Sequence, residues 1–166
     1  MPAPVAYDVN DAPARRRFLD DIAPRLLTAL RAETRPEWGD MSARQMVEHL
    51  AWVFDLSSGA AQVACNVWRV KQVLLKAFLY VNIHAPRHIR NPALEGGLPA
   101  LRWPGLAEAI AEWNRARRRF SEQDEIARST PFMHPVLGPL VHEEWSRFHF
   151  KHVYHHMRQF GLLRVA

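Results

Sequence analysis

The sequence is poor in several features on which particular protein classes depend. It has a single cysteine, Cys65, so no intramolecular disulfide can form, and we expect a reducing compartment, the cytoplasm. The longest apolar stretch, residues 73–83, is interrupted by Lys76 and is too short to cross a bilayer. The pattern of an export signal, a basic start followed by an apolar core, is not found. These absences predict a protein without a membrane partner, and a length of 166 residues predicts one domain over residues 1–166.

Motifs that identify common enzyme classes are also missing. There is no glycine-rich phosphate loop, no Gly-x-Ser-x-Gly elbow and no Cys-x-x-Cys pair. Basic side chains number 22 against 17 acidic ones, which is a modest excess. Arg115 and residues 117–119 form a basic run beside Trp113, but aromatic residues are not interleaved for base stacking. We interpret the run as a solvated helix face and expect no nucleic-acid partner.

Helical periodicity dominates what is present. Apolar residues recur mostly at helical spacing, twelve prolines divide the chain, and no useful length alternates with period two, so the predicted fold class is all-α. The predicted helices, separated by long proline-rich connections, cover residues 12–31, 42–57, 60–82, 106–123 and 142–160. Pro24 should kink the first helix or reset its start. Ser42 and Gln45 match a capping box at the second helix, and Gly161 should end the last one.

Histidines are concentrated in the last helix, which carries five of the nine. A helical projection places His149, His152 and His156 on one face with Trp145, whereas His155 points to the side. His152 and His156 are four residues apart, so their Cβ atoms should lie about 5–6 Å apart. Two imidazoles at this spacing can bind one ion with metal–nitrogen distances of about 2.0–2.1 Å.

A third ligand must come from another element, and His49 is the candidate. It lies within the apolar stripe formed by Met46, Leu50 and Val53, which is an unusual position for an unpaired imidazole. His149, one turn before the pair, is expected to be a spare ligand or to contact one of the ligands. The alternative is that these histidines form a hydrogen-bonded network in the core.

Two blocks of sequence carry a resemblance to a known family. Residues 38–50 (WGDMSARQMVEHL) resemble the segment that opens the second bundle helix in one branch of the DinB/YfiT-like superfamily of metalloenzymes. His134-Pro135, Gly138, Glu144-Trp145 and residues 150–161 (FKHVYHHMRQFG) are similar to the C-terminal part of the same branch. The order and separation of the blocks also match. Val141 departs from the pattern, since the family usually has serine or threonine at this N-cap.

The resemblance implies a fold and a metal site. The fold is an up-down-down-up four-helix bundle, here with one additional helix. The implied ligands of a divalent metal are one histidine of the second bundle helix and the HxxxH pair of the last, which correspond to His49, His152 and His156. Zinc or nickel is the expected metal. Since ligation requires neutral imidazoles, we expect affinity to fall as the pH drops through about 6.

The expected function follows from this site. Three neutral ligands leave a coordination position open, which is typical of catalytic sites. The superfamily includes thiol-dependent transferases and isomerases that use low-molecular-weight thiols, and some hydrolases. We therefore expect a cytoplasmic metal-dependent enzyme, a thiol-dependent transferase or hydrolase acting on a small molecule, with unassigned catalytic residues. The alternative is a non-catalytic helical bundle that binds a small ligand or a protein partner.

Further expectations concern packing. Trp52, Trp145 and Phe148 should either line a pocket beside the metal or fill the bundle. Trp38 and Met46 should be buried where the second helix begins. The third helix is apolar over more of its circumference than one bundle face needs, so a homodimer is expected.

Overall fold

The computed structural model describes residues 5–87 and 100–163, and these are mostly helical. The helices are α1 (Ala12–Arg17), α2 (Ala23–Leu27), α3 (Ala43–Ser57), α4 (Arg69–Lys76), α5 (Leu106–Ser121), α6 (Glu125–Ser129) and α7 (His142–Gln159). A π-helical turn, Phe18–Ile22, joins α1 to α2, and a 3-10 turn, Ala77–Tyr80, follows α4. The strands are β1 (Phe132–His134) and β2 (Gly138–Leu140). No described helix is long and apolar enough to traverse a bilayer.

The first helical stretch adapts to its internal proline by widening. Pro24 has no N–H group, and its ring would clash with the carbonyl one turn earlier in a regular helix. The preceding turn is π-helical, with the N–H of Ala23 bonded to the carbonyl of Phe18, five residues back. A new helix, α2, then starts with Pro24 in its first turn. The expectation that Pro24 resets the helix is confirmed, although regular helix ends at Leu27 rather than at residue 31.

Helix α3 begins where the sequence predicts. The Ser42 hydroxyl accepts from the N–H of Gln45 at 3.2 Å, and the Gln45 side chain accepts from the N–H of Ser42 at 2.8 Å. Both bonds of the capping box are therefore present, and they satisfy amides that the first turn leaves free. Trp38 and Met46 are buried near this helix start, as expected.

The predicted helix over residues 60–82 is wrong in its first half. Residues 61–68 are non-helical, and their burial alternates between partly buried and exposed positions. Ala61, Val63, Cys65 and Val67 are the partly buried set. This alternation is typical of extended chain with one face against the protein, and it overrides the helical propensity of the alanines. Regular helix begins only at Arg69.

The all-α prediction also missed a short hairpin. Strands β1 and β2 pair antiparallel, with Phe132 opposite Leu140. Gly138 has a φ of +76°, which non-glycine residues rarely adopt. The ring of His134 holds the turn, since its Nδ1 accepts from the N–H groups of Val136 and Leu137 at 3.0 Å each. Strands of three residues are too short to produce a readable period-two pattern.

Helix α7 agrees with its predicted span to within one residue at its C-terminus. Although Val141 cannot cap through its side chain, Glu144 accepts from the N–H of Val141 at 3.1 Å and holds the first turn. At the other end Gly161 has a φ of +65°. Its N–H bonds to the carbonyl of Arg158, while the N–H of Leu162 bonds to that of Met157. These two bonds form a Schellman motif, as the glycine cap predicted.

The core lies where α3, α5 and α7 meet the 12–27 stretch. Fully buried aromatic and aliphatic side chains from these helices include Phe18, Phe54, Trp113 and Phe150. Part of the predicted proline-rich connection, residues 88–99, lies outside the described residues. After these residues, the carboxylate of Glu48 accepts from the N–H of Arg102 at 2.6 Å. This bond holds the backbone at Arg102 against α3.

Candidate metal centre

Three histidines from two helices meet at one point in the interior. The Nε2 atoms of His49 and His152 are 2.9 Å apart, and those of His152 and His156 are 3.1 Å apart. One nitrogen from each of the three lies within 4.8 Å of the other two. Two nitrogens bound at about 2.0–2.1 Å in tetrahedral geometry would lie roughly 3.3 Å apart. The three histidines are therefore close enough to hold one metal ion, and the separations of 2.9 and 3.1 Å differ from this value by a few tenths of an ångström.

The position of each histidine follows from its helix. His49 lies on the buried face of α3 between Met46 and Leu50, both essentially inaccessible to solvent. His152 and His156 are one turn apart on α7, so their rings lie side by side with centroids 4.7 Å apart. His49 and His156 are buried, whereas His152 keeps partial exposure, so the cluster is not sealed from solvent.

A glutamine fixes the orientation of His156. The Nε2 of Gln159 donates to the carbonyl oxygen of Trp38 at 2.8 Å, which turns its Oε1 toward His156. Since Oε1 can only accept, the Nδ1 of His156, 2.7 Å away, must carry the proton and donate it. The Nε2 of His156 then has its lone pair directed at the cluster. Ligating histidines in metalloproteins are typically held by such a partner on the other ring nitrogen.

The remaining two rings lack this support. The Nδ1 atoms of His49 and His152 are buried and have no hydrogen-bond partner among the described residues. No carboxylate from the described residues joins the cluster, so the donor set is three neutral imidazoles. Such a set matches zinc or nickel better than the oxygen-preferring calcium or magnesium.

Burial keeps these imidazoles in the form that binds metal. Desolvation lowers the pKa of His49 to about 4, and it lowers the pKa values of His152 and His156 well below the ordinary 6.5. All three are therefore neutral at pH 7, which ligation requires. We therefore expect any loss of metal affinity on acidification to occur below the pH of about 6 that the sequence predicts.

His149 is not brought into the cluster. Its Nε2 is 2.8 Å from the hydroxyl of Ser57, and its ring stacks on Phe54 with centroids 3.7 Å apart. Burial lowers its pKa well below the ordinary value, so it is a neutral core residue. Trp145 belongs to the same aromatic core, because it is fully buried and donates to the carbonyl of Phe132 at 3.2 Å.

The other two predicted lining residues do flank the histidines. The Phe148 ring lies 5.1 Å from that of His152, and the Trp52 ring lies 6.4 Å from that of His49, measured between centroids. Trp52 also borders a cleft of about 660 Å³, which Val63, Val67 and other residues of the extended segment line as well. A space of this size can accept a small molecule, and Trp52 contributes to both the cleft and the surroundings of His49.

Sequence reasoning did not identify Gln159. Its signal was its position three residues after His156, since side chains at i and i+3 are neighbours on a helix. That position permitted the bond to His156, but the contact with the Trp38 carbonyl joins residues 121 apart in the chain. Only that contact decides which end of the amide faces the histidine.

The chain was compared with protein-family models, with curated proteins and with solved structures, and none of the three comparisons found a match.

Proposed function

We propose that this protein is a cytoplasmic metal-dependent enzyme in which His49, His152 and His156 bind one divalent ion, zinc or nickel. The observation that carries the proposal is the convergence of three Nε2 atoms, two neighbouring pairs of which are 2.9 and 3.1 Å apart. The single cysteine supports a reducing compartment.

The open coordination positions support catalysis rather than a structural role. Structural zinc sites are closed by four protein ligands, whereas catalytic sites have three and an open position. When bound, such an ion supplies a Lewis acid that activates water or a thiolate. Among the chain's own groups, Gln159 orients His156, Phe148 packs beside His152, and Trp52 lies near His49 and also lines the cleft.

The reaction class and the finer fold assignment rest on the resemblance to the DinB/YfiT-like superfamily. We propose an up-down-down-up four-helix bundle composed of the 12–27 stretch, α3, α5 and α7, with α4 as the additional helix. In this superfamily the metal serves thiol-dependent transferases and hydrolases, so the proposed substrate is a small molecule, with a low-molecular-weight thiol as co-substrate in the transferase case. The apolar cleft beside Trp52 supports a small-molecule substrate.

One observation favours a second candidate function. The two Nε2 separations also fall within hydrogen-bonding distance, and His149 shows that this core holds a buried histidine through hydrogen bonding alone. The alternative is therefore a non-catalytic helical bundle whose histidines form a hydrogen-bond network and whose cleft binds a ligand.

Metal analysis separates the two candidates. Protein purified without a histidine tag, by ion exchange or a streptavidin-binding tag, is dialysed against zinc or nickel and its metal content is measured. The enzyme proposal expects one ion per chain in the wild type and in the control variant His155→Ala, and none in His152→Ala. Metal-free wild-type protein after dialysis would support the non-catalytic alternative.

A cobalt-substituted sample tests the reaction class. Adding 2-mercaptoethanol should produce a near-ultraviolet sulfur-to-cobalt charge-transfer band if a thiolate reaches the open coordination position. A spectrum that does not change at saturating thiol contradicts the thiol-dependent reaction while leaving the metal site intact.

A further inference from the structure

Helix α4 presents apolar side chains to solvent. Trp68, at its N-cap, is 86% exposed, and within the helix Val70, Val73 and Leu74 are 75%, 69% and 71% exposed. We define Val70, Val73 and Leu74, which share one side of the helix, as the α4 apolar face, whereas Trp68 lines the cleft beside Trp52. Soluble proteins rarely expose contiguous apolar surface of this kind unless it meets a partner.

The opposite side of the same helix carries polar groups and faces the protein. Gln72 donates to the carbonyl of Val67 at 2.6 Å, and Lys76 donates to the carbonyl of Pro139 at 2.6 Å. The ammonium of Lys76 also lies 3.3 Å from the carboxylate of Glu144. Surface helices normally bury their apolar stripe and expose their charges. In α4 three of the four apolar side chains face solvent, and the fourth, Leu75, packs against the core.

The exposed area is sufficient for a dimer. Tyr80, Val81 and Ile83, just after α4, are 47%, 40% and 60% exposed. Together with the α4 apolar face they present on the order of 600 Å², which is about the contribution of one partner to the smaller specific interfaces. Among the described residues, Ile126 is exposed to a similar degree, 78%, and lies on a different helix, α6.

Charge and spacing indicate which partner fits. A polybasic membrane-binding segment typically has about four to eight lysines or arginines. Here Arg69 and Lys71 are the basic residues of α4 left outward, because Lys76 is turned toward Glu144. Val70, Val73 and Leu74 have the i, i+3, i+4 spacing of a helix–helix seam. In a twofold dimer the same surface of both copies meets, so two such seams would pack against each other.

We propose that a second copy of this chain covers the α4 apolar face, as an antiparallel pair of α4 helices about a twofold axis. The antiparallel arrangement keeps the two Arg69–Lys71 ends apart and opposes the helix dipoles favourably. Because Trp68 and Lys71 also border the cleft beside Trp52, the second copy lies next to the cleft. The proposal does not depend on the metal site, since none of the three histidines belongs to this face.

The first test is the mass in solution. Sedimentation equilibrium of the wild type at tens of micromolar should give twice the 19.2 kDa chain mass. Val73→Glu places a charge at the centre of the pair and should weaken dimerisation by more than about tenfold. Ile126→Glu introduces the same charge at a similarly exposed position on α6 and should leave the dissociation constant unchanged. Because both side chains are exposed, both variants should keep the wild-type circular dichroism.

Monomeric wild type at all concentrations would overturn the proposal, as would a dimer that Val73→Glu does not weaken. A second measurement locates the axis. In a Cys65→Ser background, Val73→Cys should form an intermolecular disulfide under mild oxidation, whereas Ile126→Cys should not. If the wild type is monomeric and co-sediments with vesicles of phosphatidylcholine and phosphatidylserine, the α4 apolar face binds a lipid surface rather than a second copy. That result would also overturn the proposal.

Discussion

Replacing Gln159 by leucine should weaken both the fold and metal binding. The side chain is 6% exposed and makes two buried hydrogen bonds, to the Nδ1 of His156 at 2.7 Å and to the carbonyl of Trp38 at 2.8 Å. Leucine fills nearly the same space, so little cavity is created. Both former partners, however, remain buried without a bond.

The expected magnitudes follow from those two groups. A buried polar group left without a partner costs about 1–3 kcal/mol, so with two such groups Gln159→Leu should lower the free energy of unfolding of the metal-free protein by about 2–6 kcal/mol. Loss of the partner that holds a ligating histidine typically lowers metal affinity about 10- to 100-fold. Urea unfolding followed by circular dichroism measures the first quantity. Competition for zinc against a fluorescent chelator measures the second.

A second substitution separates positioning from general destabilisation. Gln159→Glu keeps an acceptor for His156 but loses the donor to the Trp38 carbonyl. It should therefore be destabilised while retaining zinc affinity close to that of the wild type. Gln62→Leu, at an exposed glutamine, is the control and should change neither quantity. If Gln159→Leu binds zinc within twofold of the wild type, Gln159 does not orient His156 for a metal.

Three further outcomes are expected. His152→Ala should lose stoichiometric metal and keep its helical circular dichroism, with His155→Ala as the matched variant that retains metal; equal metal in both would contradict the site. Burial lowers the pKa of His134 to about 3. Below about pH 6.5 the unfolded chain therefore takes up a proton at this histidine that the native state does not. As the pH falls, the free energy of unfolding should decrease by about 1.4 kcal/mol per pH unit for each such histidine. His134→Asn keeps an acceptor for the turn without titrating, so urea unfolding at pH 7 and pH 5 should show a smaller loss, and an unchanged loss would refute the assignment. Ser57→Ala leaves His149 buried without its partner and should cost about 1–3 kcal/mol in urea unfolding, whereas a cost near zero would show that their bond is weak.

The helix predictions succeeded where the signals were local. The capping box of α3, the reset at Pro24 and the glycine cap of α7 each involve residues within a few positions of one another. Hydrogen bonds at this range form in the same way whatever the rest of the chain does. The extended segment 61–68 was missed because its burial depends on packing against parts of the protein that are distant in the sequence. The β1–β2 hairpin was missed because strands of three residues show no readable alternation.

The histidine site was predicted in the same way. His152 and His156 share a helix, so their spacing alone places them side by side. His49 was identified because it interrupts an apolar stripe, and the structure brings it to the pair across a separation of 103 residues. The same reasoning gave His149 a role near the ligands, although its ring nitrogen bonds to Ser57 and its ring stacks on Phe54. Helical periodicity gives the face of a residue but not which neighbour its ring meets.

The sequence by itself determined the helices α3, α5 and α7, the caps of α3 and α7 and the three histidines that could share an ion, because these follow from spacing within single helices and from the cost of an imidazole in an apolar stripe. The tertiary structure alone decided the orientation of the Gln159 amide, the partner of His149 and the outward direction of the α4 apolar face. Each of these depends on a contact between distant segments: Gln159 with Trp38, His149 with Ser57, and Lys76 with Glu144. Such contacts are selected by the packing of the whole chain, in which buried polar groups must find partners wherever the fold supplies them.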